Sequence, residues 1–92
     1  MNRSDILHEA NKIITQDRED THGQPQDSFK DIARLWSAYL NYEMHPLDVG
    51  AMMILLKLAR FNSNTSHVDN FIDMAGYAAI LGELSTSDNR DE

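Results

Sequence analysis

Two basic and two acidic side chains on either side of a short polar loop have the types and spacing to do chemistry. Lys57 and Arg60 lie three residues apart before the loop 62–66, and Asp69 and Asp73 lie four residues apart after it. At these spacings each pair projects from one side of a helix. The acid pair is suited to Mg²⁺ shared with phosphate oxygens, and the basic pair to the phosphates themselves. The pattern predicts a site for a nucleotide or a nucleotide-like molecule, where a metal-activated water could attack phosphorus.

Structural explanations compete with this interpretation. Opposite charges facing each other across a hairpin are common on simple bundles, so Asp73 could instead form a salt bridge with a neighbouring cation (Lys57, Arg60 or Arg34). Asp69 could belong to a capping box that begins at Ser66. Asp48 is a candidate third metal ligand, with Asp31 as an alternative. Because His45-Pro46 resembles a helix start, Asp48 can also be explained entirely by first-turn hydrogen bonds and the helix dipole.

The segment from Asp17 to Pro25 breaks every apolar period and is predicted to be a loop. Arg18 and His22 in this loop could contact a phosphate or a base, and Gly23 would let the backbone approach a ligand closely. The alternative is a solvated connector between helices.

The elements that must position these residues are helical. Before the polar loop, one broad apolar arc comprises Val49, Met52, Leu55, Leu56, Leu58 and Ala59, and Lys57 and Arg60 share the remaining stripe with Gly50 and Met53. After the loop, one face carries Phe71, Ile72, Met74, Ala75, Ala78 and Ala79, and another carries Asp69, Asp73, Gly76 and Ile80. A short connection predicts that these helices pack antiparallel and bring the charges together. Because glycine is costly inside a helix, something is expected to approach Gly76 closely.

Two earlier segments complete the expected bundle. Apolar residues recur at helical spacing first in Ile6, Leu7, Ala10, Ile13 and Ile14, and then in Phe29, Ile32, Ala33, Trp36, Tyr39 and Leu40. Trp36 at such spacing is expected in the core, with a stacking platform for a base as the alternative. The fold class predicted is all-α, a compact bundle of about four helices. Residues 1–84 form a single domain and the polar residues 85–92 a disordered acidic tail.

Composition narrows the classes of partner. With 92 residues, a formal charge of −7 and no cysteine, the chain has neither the basic stripe that duplex nucleic acid requires nor thiol chemistry. No apolar run approaches the length that spans a bilayer, so we expect a cytoplasmic protein with no membrane partner. The apolar segment 51–58 would suit a subunit interface, and we expect a homo-oligomer.

The motifs resemble a family of small phage and prophage proteins of unknown function over about residues 5 to 84. The strings that carry the resemblance are Asp17-Arg18…His22-Gly23-x-Pro25, Pro46-x-Asp48-Val49…Lys57-Leu58-Ala59-Arg60 and His67-x-Asp69-Asn70-x-Ile72-Asp73-x-Ala75-Gly76-Tyr77. The acidic helical hairpins are more distantly similar to the all-α nucleotide pyrophosphohydrolases of the MazG and dimeric dUTPase type. That resemblance implies Mg²⁺-dependent hydrolysis of nucleoside triphosphates. The resemblance to phage proteins implies the host cytoplasm as the location.

Three functions are therefore compatible with the sequence. The first is a nucleotide-binding protein, with a Mg²⁺-dependent pyrophosphohydrolase as its catalytic form. In this reading the metal ligands are Asp69, Asp73 and Asp48, and the nucleotide-binding residues are Lys57, Arg60, Arg18 and His22. The second is a non-catalytic anti-defence protein that sequesters a nucleotide signal. The third is an acidic module that inhibits a basic protein surface.

Overall fold

The computed structural model describes residues 1–17 and 25–87, which contain four α-helices and no strand. Helix α1 spans Arg3–Lys12 and continues as a π-helical segment, Ile13–Asp17. The others are α2, Pro25–Leu40, α3, Pro46–Ser63, and α4, Val68–Thr86. The predicted all-α bundle of about four helices is confirmed. None of these helices is both long and apolar enough to cross a bilayer.

Helices α3 and α4 form the predicted antiparallel hairpin, and its register is regular. Gly50 lies against Leu81, Lys57 pairs with Asp73, and the rings of Phe61 and Phe71 meet edge to face with centroids 5.6 Å apart. In each pair the two residues are almost equally distant along the chain from the connection at 64–67. The short connection therefore fixes which residues of the two helices face each other.

The connection is held by Asn64 rather than by the capping box predicted at Ser66. Both the backbone N–H and the hydroxyl of Ser66 donate to Asn64 Oδ1, at 3.2 Å each. Helix α4 begins one residue later, with His67 in the N-cap position and no side-chain cap hydrogen bond. That prediction was wrong because the asparagine side chain folds the turn locally and engages the serine.

The core lies where α2, α3 and α4 meet. Its buried members are Phe29, Ala33, Val49 and Ile80. The Phe29 ring stacks on Tyr77 with centroids 6.3 Å apart, which joins α2 to α4. Trp36 is half-buried against this cluster, as expected of a core residue.

Helix α3 turns inward the side that carries Gly50 and Lys57, and only the Val49 edge of its predicted apolar arc is buried. Val49 and Gly50 are buried and Lys57 is half-buried, whereas four large members of the arc stay 41–61% exposed: Met52, Leu55, Leu56 and Leu58. The reason is Gly50, because a Cβ built there would lie 3.1 Å from both Phe29 Cε2 and Leu81 Cδ1. The helix packs most closely through its glycine side, and the larger apolar side is left without a partner among the described helices.

Helix α4 likewise buries only part of the apolar face predicted from the sequence, at Ile72. Ala78 and Ala79 are exposed, whereas the buried stripe consists of Ile72, Gly76 and Ile80 with Asn70. A Cβ built on Gly76 would lie 3.0 Å from Ile14 Cγ2, which confirms the expected close approach. The stripe read from the sequence as a ligand face is therefore largely the contact with α1 and the π-helical segment.

Three residues of the predicted apolar faces of α1 and α2 lie outside the core. Leu7 is 62% exposed, Tyr39 88% and Leu40 52%. Tyr39 and Leu40 close α2 just before Asn41, whose φ of 55° turns the chain away. The helical period places such residues on a face, but it does not specify how far along the helix a neighbour extends.

Two glycines of α4 provide a matched stability test. Gly82 has nothing within 4 Å of an added Cβ, so Gly82→Ala is expected to raise the free energy of unfolding by about 0.5–1 kcal/mol through helix propensity. Gly76→Ala gains the same propensity but crowds Ile14, so it is expected to lower stability overall. Urea unfolding of both variants measures the contrast. Equal stabilisation by both would contradict the close approach at Gly76.

Candidate functional site

The structure brings together one acid and one base of the predicted four. Lys57 Nζ lies 2.8 Å from Asp73 Oδ2, with the two side chains only 14% and 34% exposed. The ion pair is thus largely withdrawn from water, where Coulombic attraction is less screened than at the surface. This contact also fits the structural explanation of Asp73, and it places a carboxylate and an ammonium at one point between α3 and α4.

The other two residues stay apart from this pair. Arg60 is exposed and forms no ion pair with any residue in the described part of the chain. The Asp69 side chain is 70% exposed, with Oδ2 3.9 Å from His67 Nε2. Arg34, an alternative partner for Asp73, instead binds Asp31 at 2.8 Å on the surface of α2.

Asp48 lies in the first turn of α3 and does not reach the ion pair. Its Oδ2 accepts from the His45 backbone N–H at 2.9 Å, while His45 Nδ1 accepts from the Leu47 N–H at 3.0 Å. Nine residues of helix separate Asp48 from Lys57, roughly 14 Å at 1.5 Å per residue. Within residues 1–17 and 25–87, no three His, Cys, Asp or Glu side chains are grouped to hold a metal ion.

A small cleft lies beside the ion pair, between α4 and the first helix with its π-helical extension. Asp73 and Tyr77 are its polar members, and its apolar lining is Ala10, Ile13, Ile14, Ile72, Gly76 and Ile80. Its volume of about 10 Å³ accommodates about one water molecule. The π-helical segment forms one wall, and such irregular helical turns are frequent at functional sites.

Asn70 is a polar residue that sequence reasoning did not select. It is 3% exposed, and its side-chain amide makes no hydrogen bond within the described part of the chain. Asn70, Asp73 and Tyr77 follow one another on one row of α4 at i, i+3 and i+7. A buried amide without partners costs about 1–3 kcal/mol, which is unusual in a helix that has apolar alternatives. The spacing Asn70-x-x-Asp73 was the available signal.

Comparison with known proteins assigns the family. Residues 5–85 match the model of a domain of unknown function (DUF6378). The chain belongs to this family. It is 48% identical over 79 residues to the Gene 55 protein of Mycobacterium phage D29, and 44% identical over 80 residues to the Gene 55 protein of Mycobacterium phage L5.

These similarities cover 86% of this chain and 52% and 51% of the two relatives, so the chain spans about half the length of the curated relatives it matches. No solved structure matches the chain. The comparisons support the expected resemblance to small phage proteins of unknown function. The MazG-like resemblance is not among their findings.

Two predicted nucleotide-binding residues of the DUF6378 chain, Arg18 and His22, lie outside the described residues, as do residues 88–92 of the predicted tail. Their roles stay predictions. The candidate site in the described part of the chain therefore consists of Lys57, Asp73 and the cleft beside them, with Asn70 one turn away.

The stability contributed by the inner ion pair can be compared with that of an exposed one. Asp73→Ala leaves the Lys57 ammonium largely buried and unpaired, so we expect a loss of about 1–3 kcal/mol in the free energy of unfolding. Asp31→Ala breaks the exposed pair with Arg34 and should change stability by less than about 0.5 kcal/mol. Denaturant titration of both variants checks this, and similar losses would show that the inner pair is not specially protected.

Proposed function

We propose that this phage-type protein binds a nucleotide or a nucleotide-like phosphorylated molecule at the junction of α3, α4 and the cleft. The observation that carries the proposal is the ion pair of Lys57 and Asp73 at the cleft, one helical turn from the buried amide of Asn70. Charged, hydrogen-bonding and apolar groups are thereby concentrated in a small part of the chain, as ligand sites require.

The phosphate-binding part of the proposal rests on Lys57 and Arg60. An ammonium has three donors, and Lys57 directs Nζ toward Asp73, which leaves hydrogen-bonding capacity for an anion. Arg60 follows on α3 about one turn later and is free of ion pairs within the described residues. A guanidinium in that position suits bidentate contact with phosphate oxygens.

The remainder of the ligand would lie across the mouth of the cleft, because the cavity itself is too small for a base or a sugar. Tyr77 offers a hydroxyl and an aromatic edge there, between apolar side chains. The Asn70 amide carries both a hydrogen-bond donor and an acceptor, so it could hydrogen-bond the edge of a base. Such a contact requires a small movement of α4 side chains that exposes the amide.

Asp73 and Asp69 are the proposed magnesium ligands. Mg²⁺ in nucleotide sites is commonly held by one or two carboxylates together with phosphate oxygens and water, and these residues could supply that number. The ion would neutralise phosphate charge. Because the described residues contain no group of three ligands, hydrolysis is the further step that experiment must test separately from binding.

Isothermal titration with nucleoside mono-, di- and triphosphates, with and without Mg²⁺, tests the proposal. Asp73→Asn should weaken binding about tenfold in Mg²⁺ and much less without it, because the neutral amide is a poor ligand for a hard cation. Asp31→Asn is the matched control, since it changes an acid paired with a base elsewhere on the surface. Pyrophosphate release would identify a pyrophosphohydrolase, and binding with the nucleotide intact would identify a sequestering protein.

Asn70→Leu separates a ligand-binding role from a structural one. If the amide serves a ligand, the variant should be more stable by about 1 kcal/mol, because an unsatisfied polar group is replaced by an apolar one of similar size. It should also bind the nucleotide more weakly. Thermal unfolding with and without nucleotide gives both quantities, and a variant that is less stable with unchanged binding would remove Asn70 from the site.

A second candidate function has its own support. The net charge of −7 and the uncovered apolar side of α3 are features of a module that binds a basic protein surface. The absence of heat with every nucleotide, in a protein shown to be folded, would favour this function.

A further inference from the structure

Helix α1 is the least firmly attached of the four helices in the described part of the chain. Ala10 is its one buried residue, and it lies outside the core cluster to which α2, α3 and α4 each contribute. The π-helical segment adds Ile13 and Ile14, which are half-buried. Attachment through so few apolar side chains is the condition under which a segment opens without the rest of the fold.

No polar contact fastens this helix to its neighbours. The side chains of Asn2 and Asp5 cap α1 from within, and the Thr15 hydroxyl donates to the Asn11 carbonyl of the same segment. Among the described residues, no hydrogen bond or ion pair joins residues 1–16 to α2, α3 or α4. Separation of α1 from α4 therefore breaks apolar contacts and leaves no buried polar group without its partner.

This weakly attached segment covers the candidate ligand site. Ala10, Ile13 and Ile14 form one wall of the cleft, and the opposite wall on α4 contains Asp73 and Gly76. The volume of about 10 Å³ has room for about one water molecule, so a ligand can lie only across the mouth of the closed cleft. Movement of α1 away from α4 would enlarge the cleft beside the carboxylate and let a base or a sugar enter it.

We propose that α1 and the π-helical segment together form a lid, which is closed over the site in the free protein and opens to admit the nucleotide. The inference rests on the proposed function, because it concerns access to the same site. A helix of ten residues is not stable alone in water, so α1 loses its helix when it leaves α4. The entering ligand occupies the space that Ile13 and Ile14 fill in the closed form. Binding therefore selects the open lid, and the free energy of opening lowers the apparent affinity.

Thiol labelling measures the opening without any ligand. The chain has no cysteine, so Ala10→Cys on α1 and Ala33→Cys on α2 each carry a single thiol, at positions that are 4% and 3% exposed. The α1 thiol should react with a small aromatic disulfide reagent more than tenfold faster than the α2 thiol, and its rate should rise less steeply with urea. Saturating nucleotide should speed only the reaction on α1. Equal rates with equal urea dependence would overturn the lid, because α1 would then open only with the whole chain.

A matched pair of glycine variants tests the link between the lid and binding. Leu7 on α1 and Leu35 on α2 are 62% and 67% exposed, and neither lines the cleft. Because glycine weakens a helix interior, Leu7→Gly should favour the open lid and tighten binding of a nucleoside triphosphate with Mg²⁺ by up to about fourfold. Leu35→Gly should leave the affinity unchanged. Isothermal titration measures both, and unchanged or weaker binding by Leu7→Gly would show that α1 is a fixed wall of the site.

The two experiments separate failure of the lid from failure of the proposed function. A wild-type chain that binds none of the nucleoside triphosphates refutes the proposed function and removes the ligand from the lid, even where the α1 thiol reacts rapidly. A chain that binds a nucleotide while both thiols react at the same rate and with the same urea dependence retains the proposed function and refutes the lid.

Discussion

The ion pair between Lys57 and Asp73 is the constraint on which the arrangement of the hairpin depends. An ammonium with only 14% of its side chain exposed needs a carboxylate beside it, since an unpaired charge would be costly to withdraw from water. The pair therefore fixes which side of α3 faces α4. Its position agrees with Gly50 against Leu81 and with Phe61 against Phe71, so charge, close backbone approach and aromatic contact specify one register. Agreement among independent local preferences of this kind is what makes a register unique.

The outward orientation of the larger apolar arc follows from that register. Close approach of two helices is stabilising in addition to the burial of apolar area, because dispersion contacts are lost over gaps of less than an ångström. Gly50 and Gly76 permit such approach, and the helices meet there. The helices of residues 1–17 and 25–87 cover only one side of α3, and the other side is exposed. The smaller, glycine-containing side also carries Lys57. Because the Lys57 ammonium pairs with Asp73 on α4, this side of α3 faces α4.

The sequence was sufficient for those features that depend on periodicity and chain connectivity. The four helices, the hairpin, the start of α3 at Pro46, the core position of Trp36 and the meeting of Lys57 with Asp73 all follow from spacing and loop length. The buried faces of α3 and α4 followed only at Val49 and Ile72, because a count of apolar residues around a helix cannot weigh one glycine against several leucines. Asn70 was missed for a related reason. Burial of a polar side chain is a property of the tertiary arrangement, and its type and spacing resemble those of an ordinary helix surface.

The two sides of α3 carry different constraints, and this separation has a functional consequence. The inner side holds Gly50 and Lys57 in close contact with α2 and α4, so substitutions there disturb the core and the candidate ligand site together. The outer side has no such contacts within the described residues, so its uniform apolarity is not explained by packing among them. An exposed helix face under no constraint would be expected to carry charged residues, which favour solubility and helix formation at little cost. The leucine and methionine side chains there are therefore not explained by packing among the described residues, and they are the part of α3 on which a contact would bury the most apolar surface.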